Sequence, residues 1–383
     1  MLLAAILGAT VDRYDYHRDE LYFRLLAEHP GWGYVDQPPG TPMVAKLFLW
    51  LLGDTVWALR TPALLCVVLT AFLTAAVARE LGGGRIAQTL ASAGLISVFP
   101  LVVGHVLLTA SIDLPVWAGV TLLVVRAQLR GEPRWWLAAG ALVGLGLYNK
   151  HLVILLLIGV AVGLLVVGPR SVLAGPWPWA GAALAVLIGA PNLAYQVVNG
   201  LPQLDMAVAL ANDRGDEARV LFLPMQLLVL GLPLVPVWIT GLVALWRRPA
   251  WRPIRAFAVA YPVVCLLLLA TSGQFYYTMG LILALYAAGC VVLEPWLAGG
   301  RAVLRRLAVA LAFAVNVATS VVTALPVLPL SVLADTPVPA MNQAIRDQVG
   351  WERYVAQVAD AYRQLSAADR ARAVIVTSNY GEA

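Results

Sequence analysis

Ten apolar runs separated by short polar connections leave this chain few folds to choose from. They read as Leu59 to Leu81, Ala87 to Leu108, Leu114 to Val125, Trp136 to Leu147, Leu152 to Val167, Trp177 to Leu193, Val220 to Leu245, Ala256 to Thr271, Tyr276 to Leu293 and Leu307 to Pro326. A helical crossing of a bilayer takes about 20 apolar residues. Inside the hydrocarbon every backbone N–H and C=O must be satisfied within the protein, which points to helices. Leu2 to Thr10 adds a stub too short to cross alone, giving 10 to 11 spans in all. Only 12% of residues are charged, against about 25% in a soluble domain. The expected fold class is therefore an all-α polytopic membrane protein.

Charge placement orients the spans. Arg79 and Arg85, then Arg126, Arg130 and Arg134, then Arg170, then Arg247, Arg248, Arg252 and Arg255, then Arg301, Arg305 and Arg306 fall in alternate connections. Tryptophans flank them, so these connections read as cytoplasmic. The remaining connections and the tail after Pro326 then face outward. The net charge of +5 comes from these scattered arginines. It forms no basic stripe with interleaved aromatics and so implies no nucleic-acid partner. Cys66, Cys265 and Cys290 lie inside apolar runs and read as small buried hydrophobes.

The first outer loop, residues 11–58, is the polar exception. Of 21 acidic residues, seven (Asp12, Asp15, Asp19, Glu20, Glu28, Asp36, Asp54) fall before position 55. Carboxylates are costly near lipid, so their concentration here suggests chemistry. Asp19 to His29 and Pro42 to Leu52 read as interfacial helices. The organisation is thus a transmembrane domain over 1–330 and an outward tail over 331–383. In that tail, Trp351 to Leu365 reads as a helix, Ala373 to Thr377 as a strand and 378–381 as a turn. Together they would open a small α/β soluble domain that the chain leaves unfinished.

Asp19 and Glu20 are adjacent, so on a helix they point about 100° apart. One could serve as a base while the other orients it, or both could simply favour the helix dipole. Asp113, in Thr109-Ala110-Ser111-Ile112-Asp113-Leu114-Pro115, either caps the helix that follows or faces the same cavity as Asp19. Only Lys46 and Lys150 are lysines, both on the outer side. Lys150 fits either a snorkelling interfacial cation or a point charge for phosphate. Arg60 and Tyr276 are further phosphate candidates. Asp36, Gln37, His105, Asn149 and Gln274 could line a substrate cavity. No P-loop, Ser-His-Asp set or HExxH motif occurs in a suitable context. A divalent metal is compatible with the acids, but no ligand spacing demands one.

Several segments in order resemble one family. They are Arg18-Asp19-Glu20-Leu21-Tyr22, Gly33-Tyr34-Val35-Asp36-Gln37-Pro38-Pro39, Gly53-Asp54 leading to Arg60, Ala78-Arg79-Glu80-Leu81-Gly82-Gly83, Gly104-His105 leading to Asp113, Gly146-Leu147-Tyr148-Asn149-Lys150, Pro176-Trp177-Pro178-Trp179, Pro191-Asn192-Leu193 and Asn379-Tyr380-Gly381-Glu382-Ala383. The chain resembles the integral-membrane glycosyltransferases of family 39, the protein O-mannosyltransferase and lipid A aminoarabinose transferase type, in their bacterial branch.

That resemblance implies a C-type membrane glycosyltransferase fold and a polyprenyl-phosphate-linked sugar as donor. It implies inverting transfer at the outer face to a protein, lipid or glycan acceptor. Asp19 matches the presumed base, Asp113 the acidic position of the second outer region, and Lys150 and Arg60 positions near the carrier phosphate. The segment Ser272-Gly273-Gln274-Phe275-Tyr276-Tyr277 departs from the family's Ser-Gly-Lys-Pro-Tyr-Tyr by losing a cation at Gln274. A lipid-linked-sugar flippase is the competing function. It would call for broken helices and mid-membrane charges in related halves.

Overall fold

The computed structural model describes residues 1–377 and 380–382, and among them every regular element is a helix. The chain opens with α1 (Leu2–Gly8), α2 (Arg18–Glu28) and α3 (Gly40–Leu52). It then runs through α4 (Val56–Glu80), α5 (Arg85–Ala93), α6 (Val98–His105), α7 (Thr109–Leu129), α8 (Trp135–Gly146) and α9 (Val153–Val167). After the one-turn α10 (Ser171–Ala174) come α11 (Pro176–Val198), α12 (Pro202–Leu228), α13 (Val235–Arg247), α14 (Ala256–Ala270), α15 (Met279–Ala298) and α16 (Ala302–Ala324). The tail carries α17 (Leu330–Leu333), α18 (Val338–Met341), α19 (Gln343–Arg346), α20 (Trp351–Arg363) and α21 (Ala367–Arg370).

All ten apolar runs are helical, and their lengths sort them. The helices Val56–Glu80, Thr109–Leu129, Pro176–Val198, Phe275–Ala298 and Ala302–Ala324 are long and apolar enough to cross a bilayer unaided. Two runs expected as single spans are instead bent, by 64° between α5 and α6 and by 68° between Gly215–Leu228 and Leu232–Arg247. The backbone groups freed at these breaks find partners within the protein, as a low-dielectric interior demands. The Tyr286 hydroxyl donates to the Leu90 carbonyl (2.9 Å) and the Asn316 amide to that of Ile96 (3.3 Å). The Phe99 N–H donates to the Val229 carbonyl (3.2 Å), so the two breaks lie against each other. The remaining runs, α8, α9 and α14, hold 12, 15 and 15 residues, and α8 packs on α11 and α9 on α14.

Two sequence expectations fail. Residues 202–219, read as an exposed outer loop, belong to α12. Pro202 starts that helix, and the alanine- and leucine-rich stretch behind it carries the Asn212 to Glu217 charges on a helical frame. Ala373 to Thr377 forms no strand. Its β-branched residues have no second strand to pair with, and a lone strand is not stable. The turn expected over 378–381 lies partly outside the described residues.

The bundle has two chemically distinct ends. At one end Glu80 pairs with Arg126 (2.8 Å) and Arg130 (2.6 Å), Glu294 accepts from the Gly84 N–H (2.6 Å), and the Trp251 indole donates to Leu81 (3.2 Å). At the other end of the same helices lie Arg60, at the start of α4, and Thr109, at the start of α7. The 20 residues from Arg60 to Glu80 rise about 30 Å, the thickness of a bilayer's hydrocarbon. The tail folds onto this second end. Tyr14 donates to the Leu328 carbonyl (2.7 Å), and Leu333, Val338 and Ile345 make a small core with Tyr14 and Leu328.

Candidate active site

At the second end, α2 begins with a capping box. The His17 ring accepts from the Asp19 N–H (3.1 Å), and the Glu20 carboxylate accepts from the His17 N–H (2.8 Å). Each satisfies an otherwise orphaned donor of the first turn. This local chemistry turns the two adjacent acids apart. Glu20 points inward and is fully buried. Asp19 points away from it, toward Tyr380 of the tail, and its side chain is 27% exposed.

Glu20 is part of a closed network. It accepts from Arg60 Nε (3.0 Å), Arg60 Nη2 (3.0 Å) and the Leu107 N–H (3.0 Å). Arg60 is equally buried and gives its other donors to the carbonyls of Val11 (3.1 Å), Arg13 (3.1 Å) and Asp15 (2.7 Å) and to Gln348 Oε1 (3.2 Å). His105 Nε2 lies 3.2 Å from Arg60 Nη1 and 3.0 Å from Gln348 Oε1. Three sequence assignments change here. Glu20 is sealed from any acceptor, so it supports the site without meeting substrate. Arg60 has spent its donors on protein, so it is no phosphate ligand. His105 belongs to this network and lines no substrate cavity.

A fourth assignment also moves. Asn149 is buried, accepting from Thr41 (2.7 Å) and donating to the Thr109 carbonyl (2.9 Å). It ties α3 to α7 where the Gly40 N–H meets the Tyr148 carbonyl (2.6 Å). Asn149 is thus a strut behind the cleft. Its neighbour Lys150 faces the other way.

Lys150 lies with its ammonium 4.4 Å from the Tyr277 ring centroid and 5.9 Å from that of Tyr276. Together with Asp113, Trp117 and Phe99 these side chains line a small cleft with about 260 Å³ of empty volume. Lys150 and Asp113 therefore share one pocket, where a cation over two aromatic faces is partly desolvated and its field little screened. Asp19 and Tyr380 are both within electrostatic reach of the Tyr276 hydroxyl, which joins the α2 carboxylate to the same cluster.

The chain of contacts continues outward. Tyr380 donates to Asp19 Oδ1 (2.6 Å), and its ring stands 5.0 Å from that of Tyr22. Tyr22 donates to Asp36 Oδ1 (2.9 Å). Burial, and then the Asp36 charge, push the Tyr22 phenol well above its ordinary value, so it stays a donor. Loss of water around its hydroxyl, and then the Asp19 charge, do the same for Tyr380. Asp36 thus lies one tyrosine away from the Asp19 contact. Gln37 is buried, with its amide nitrogen facing no protein acceptor. Gln274 is half-buried and caps the short helix Phe275–Thr278, which carries Tyr276 and Tyr277. Among the described residues no three His, Cys, Asp or Glu side chains converge as a metal cage would need.

Sequence reasoning gave Tyr22, Gln348 and Tyr380 no role. Tyr22 and Tyr380 stood in quoted motifs, but nothing local says that positions 358 residues apart share a ring contact.

One end of the helical bundle thus gathers two acids, a lysine and four tyrosines. Residues 36–195 match the family model described as dolichyl-phosphate-mannose-protein mannosyltransferase. That stretch holds Asp36, Asp113 and Lys150 and begins after Asp19. Two solved structures share the architecture. ArnT from Cupriavidus metallidurans bound to undecaprenyl phosphate superposes with a TM-score of 0.63 at 17% identity, over 95% of this chain and 80% of that one. The same protein in the apo state gives 0.60 at 16% identity, over 90% and 73%. The chain has the ArnT fold. No curated protein matches it by sequence. The resemblance to membrane glycosyltransferases read from the motifs therefore recurs in the family model and again in the fold.

Proposed function

We propose that this protein moves a sugar from a polyprenyl-phosphate donor to an acceptor hydroxyl at the extracytoplasmic face of a bacterial plasma membrane, with inversion. The observation that carries the reading is that Asp113, Lys150, Tyr276 and Tyr277 line one cleft at one end of the bundle, with Asp19 within electrostatic reach of Tyr276. The matching model's description names a lipid-phosphate sugar donor, and the ArnT crystal holds undecaprenyl phosphate, which supports that class of donor here.

In the proposed step the acceptor hydroxyl attacks the anomeric carbon from the face opposite the phosphate. Its proton passes to the Asp19 carboxylate as general base. The bond from the anomeric carbon to the phosphate oxygen breaks, and polyprenyl phosphate leaves carrying the charge. Lys150, held over the tyrosine rings, stabilises that developing charge. Tyr276 offers a hydroxyl to the same group, and Asp113 holds the ammonium in place. The tail and the 11–58 loop act as one outer cover. No metal is invoked in this step.

A flippase is the second reading, favoured by the two bent helix pairs. Against it, the ionisable groups lie at the bundle's end, and the breaks are braced by Tyr286 and Asn316 rather than lined with charge. Incubating membranes with undecaprenyl phosphate bearing a radiolabelled hexose or pentose separates the readings. Transfer with release of carrier, lost in Asp19→Asn, is expected. Release that survives Asp19→Asn removes Asp19 as the base. Movement of donor across vesicles without transfer replaces the transferase by the flippase.

A further inference from the structure

The C-terminal segment Tyr380–Glu382 is built onto α2 closely enough to be part of the site. Its central residue, Gly381, sits where a Cβ would come within 2.6 Å of the Arg18 Cβ and 2.9 Å of the Arg18 carbonyl oxygen, so only glycine fits. Tyr380 is then held on three sides: by its hydrogen bond to Asp19 (2.6 Å), by the Tyr22 ring at 5.0 Å and by the Arg18 guanidinium at 5.7 Å. Upstream, the tail is anchored twice more. Asp347 forms an ion pair with Arg18 (3.1 Å), and Gln348 enters the Arg60 network. A segment so many times fixed is a fitted part of the wall, not a passing contact.

Among the described residues, the neighbours of Asp19 approach on one oxygen. Tyr380 Oη, Arg18 Nε (3.7 Å) and His17 Nδ1 (3.9 Å) all face Oδ1. We infer that Tyr380 is a positioning residue for the transfer: it fixes the Asp19 carboxylate by Oδ1 and leaves Oδ2 to accept the proton of the acceptor hydroxyl. This rests on Asp19 being the base. A tyrosine suits the task because its hydroxyl donates one strong charge-assisted bond and its ring is held by packing rather than by water. The groups facing the Asp19 carboxylate are His17 and Arg18 from α2, Tyr276 from the short helix before α15, Tyr380 from the tail, and Asp36 from the first loop.

The test compares wild-type protein with Tyr380→Phe, Gly381→Ala and Asp19→Asn, all as full chains in membranes, with undecaprenyl phosphate bearing a radiolabelled sugar. Tyr380→Phe keeps the ring and removes only the donor. We expect kcat to fall roughly ten- to a hundredfold, the weight of one hydrogen bond to a charged group. Donor KM should stay within about twofold of wild type. The acid limb of the pH–rate profile should move to higher pH, because the bond favours the ionised carboxylate. Gly381→Ala should reproduce this by pushing Tyr380 off its seat, and its yield and melting temperature tell displacement from misfolding. Unchanged kcat and pH limb in Tyr380→Phe would overturn the inference. So would a rise in rate, which would make Tyr380 an occupant of the acceptor's place. If Asp19→Asn is fully active, the base assignment fails first, and the two failures are thereby told apart.

Discussion

Replacing Arg60 by methionine tests whether that guanidinium serves the fold or the donor phosphate. Methionine keeps an unbranched stem in the space and removes the cation. The carboxylate of Glu20 would retain only the His17 and Leu107 N–H groups (2.8 and 3.0 Å), and the carbonyls of Val11, Arg13 and Asp15 would lose their donor. Both partners are fully buried. Breaking a buried pair from one side costs about 3–5 kcal/mol, because the remaining charge is left in low dielectric. A value near 4 kcal/mol is almost a thousandfold in the folding equilibrium at about 1.4 kcal/mol per tenfold. The assay heats detergent-purified protein and follows the monodisperse fraction. In parallel, undecaprenyl phosphate binding is titrated on whatever remains folded.

Arg60→Met should lose folded protein well below the wild-type transition, while the surviving fraction binds carrier with unchanged affinity. The double variant Glu20→Gln/Arg60→Met should recover part of the loss, since it leaves no unpaired charge. The reasoning is refuted if Arg60→Met is as stable as wild type and instead binds carrier more weakly.

Lys150→Met should raise the KM for donor roughly ten- to a hundredfold, the weight of a charged hydrogen bond, with melting behaviour unchanged; steady-state kinetics on labelled donor check this. Gly40→Ala should reduce folded yield sharply, since a Cβ there would lie 2.6 Å from the Tyr148 carbonyl oxygen, measured by fluorescence-detected size exclusion. Arg24 pairs with Asp54 and holds its carboxyl below the ordinary value of 3.8. A depressed carboxyl adds stability that is complete above the unfolded value and is lost as pH falls through the folded one. Asp54→Asn should therefore be less stable by at most about 1 kcal/mol at pH 7. The difference should fade as pH drops below the ordinary carboxylate range and shrink in about 1 M salt, as melting scans across pH and salt would record.

The helices were legible because the bilayer simplifies the code: a run of apolar residues has one good solution there, and all ten runs took it. The failures came where the choice was not local. Residues 202–219 carry charges that look like a loop, yet their helix propensity and the Pro202 start prevail. The bends after α5 and α12 depend on Asn316, Tyr286 and each other, which no window of sequence brings together. Lys150 lines the cleft because its neighbour Asn149 has a structural task that turns it the other way, and Glu20 likewise turns Asp19 out of the core. Arg60, His105 and Asn149 were misread for a related reason. A polar group in an apolar helix can face a ligand or a distant partner, and only the fold says that Arg60 meets Glu20, forty residues before it, and Gln348, far after it.

The Arg60 network also sets an order of assembly. Glu20 and Arg60 leave the ribosome close together, so a costly cation can be neutralised before most of the membrane bundle exists. His105 joins with the second apolar run. Gln348 and Tyr380 arrive only after α16 has been inserted. The Asp19 carboxylate therefore receives its Tyr380 partner only after the membrane helices have been made. A ribosome that stalls anywhere earlier leaves behind a bundle in which Asp19 lacks that partner.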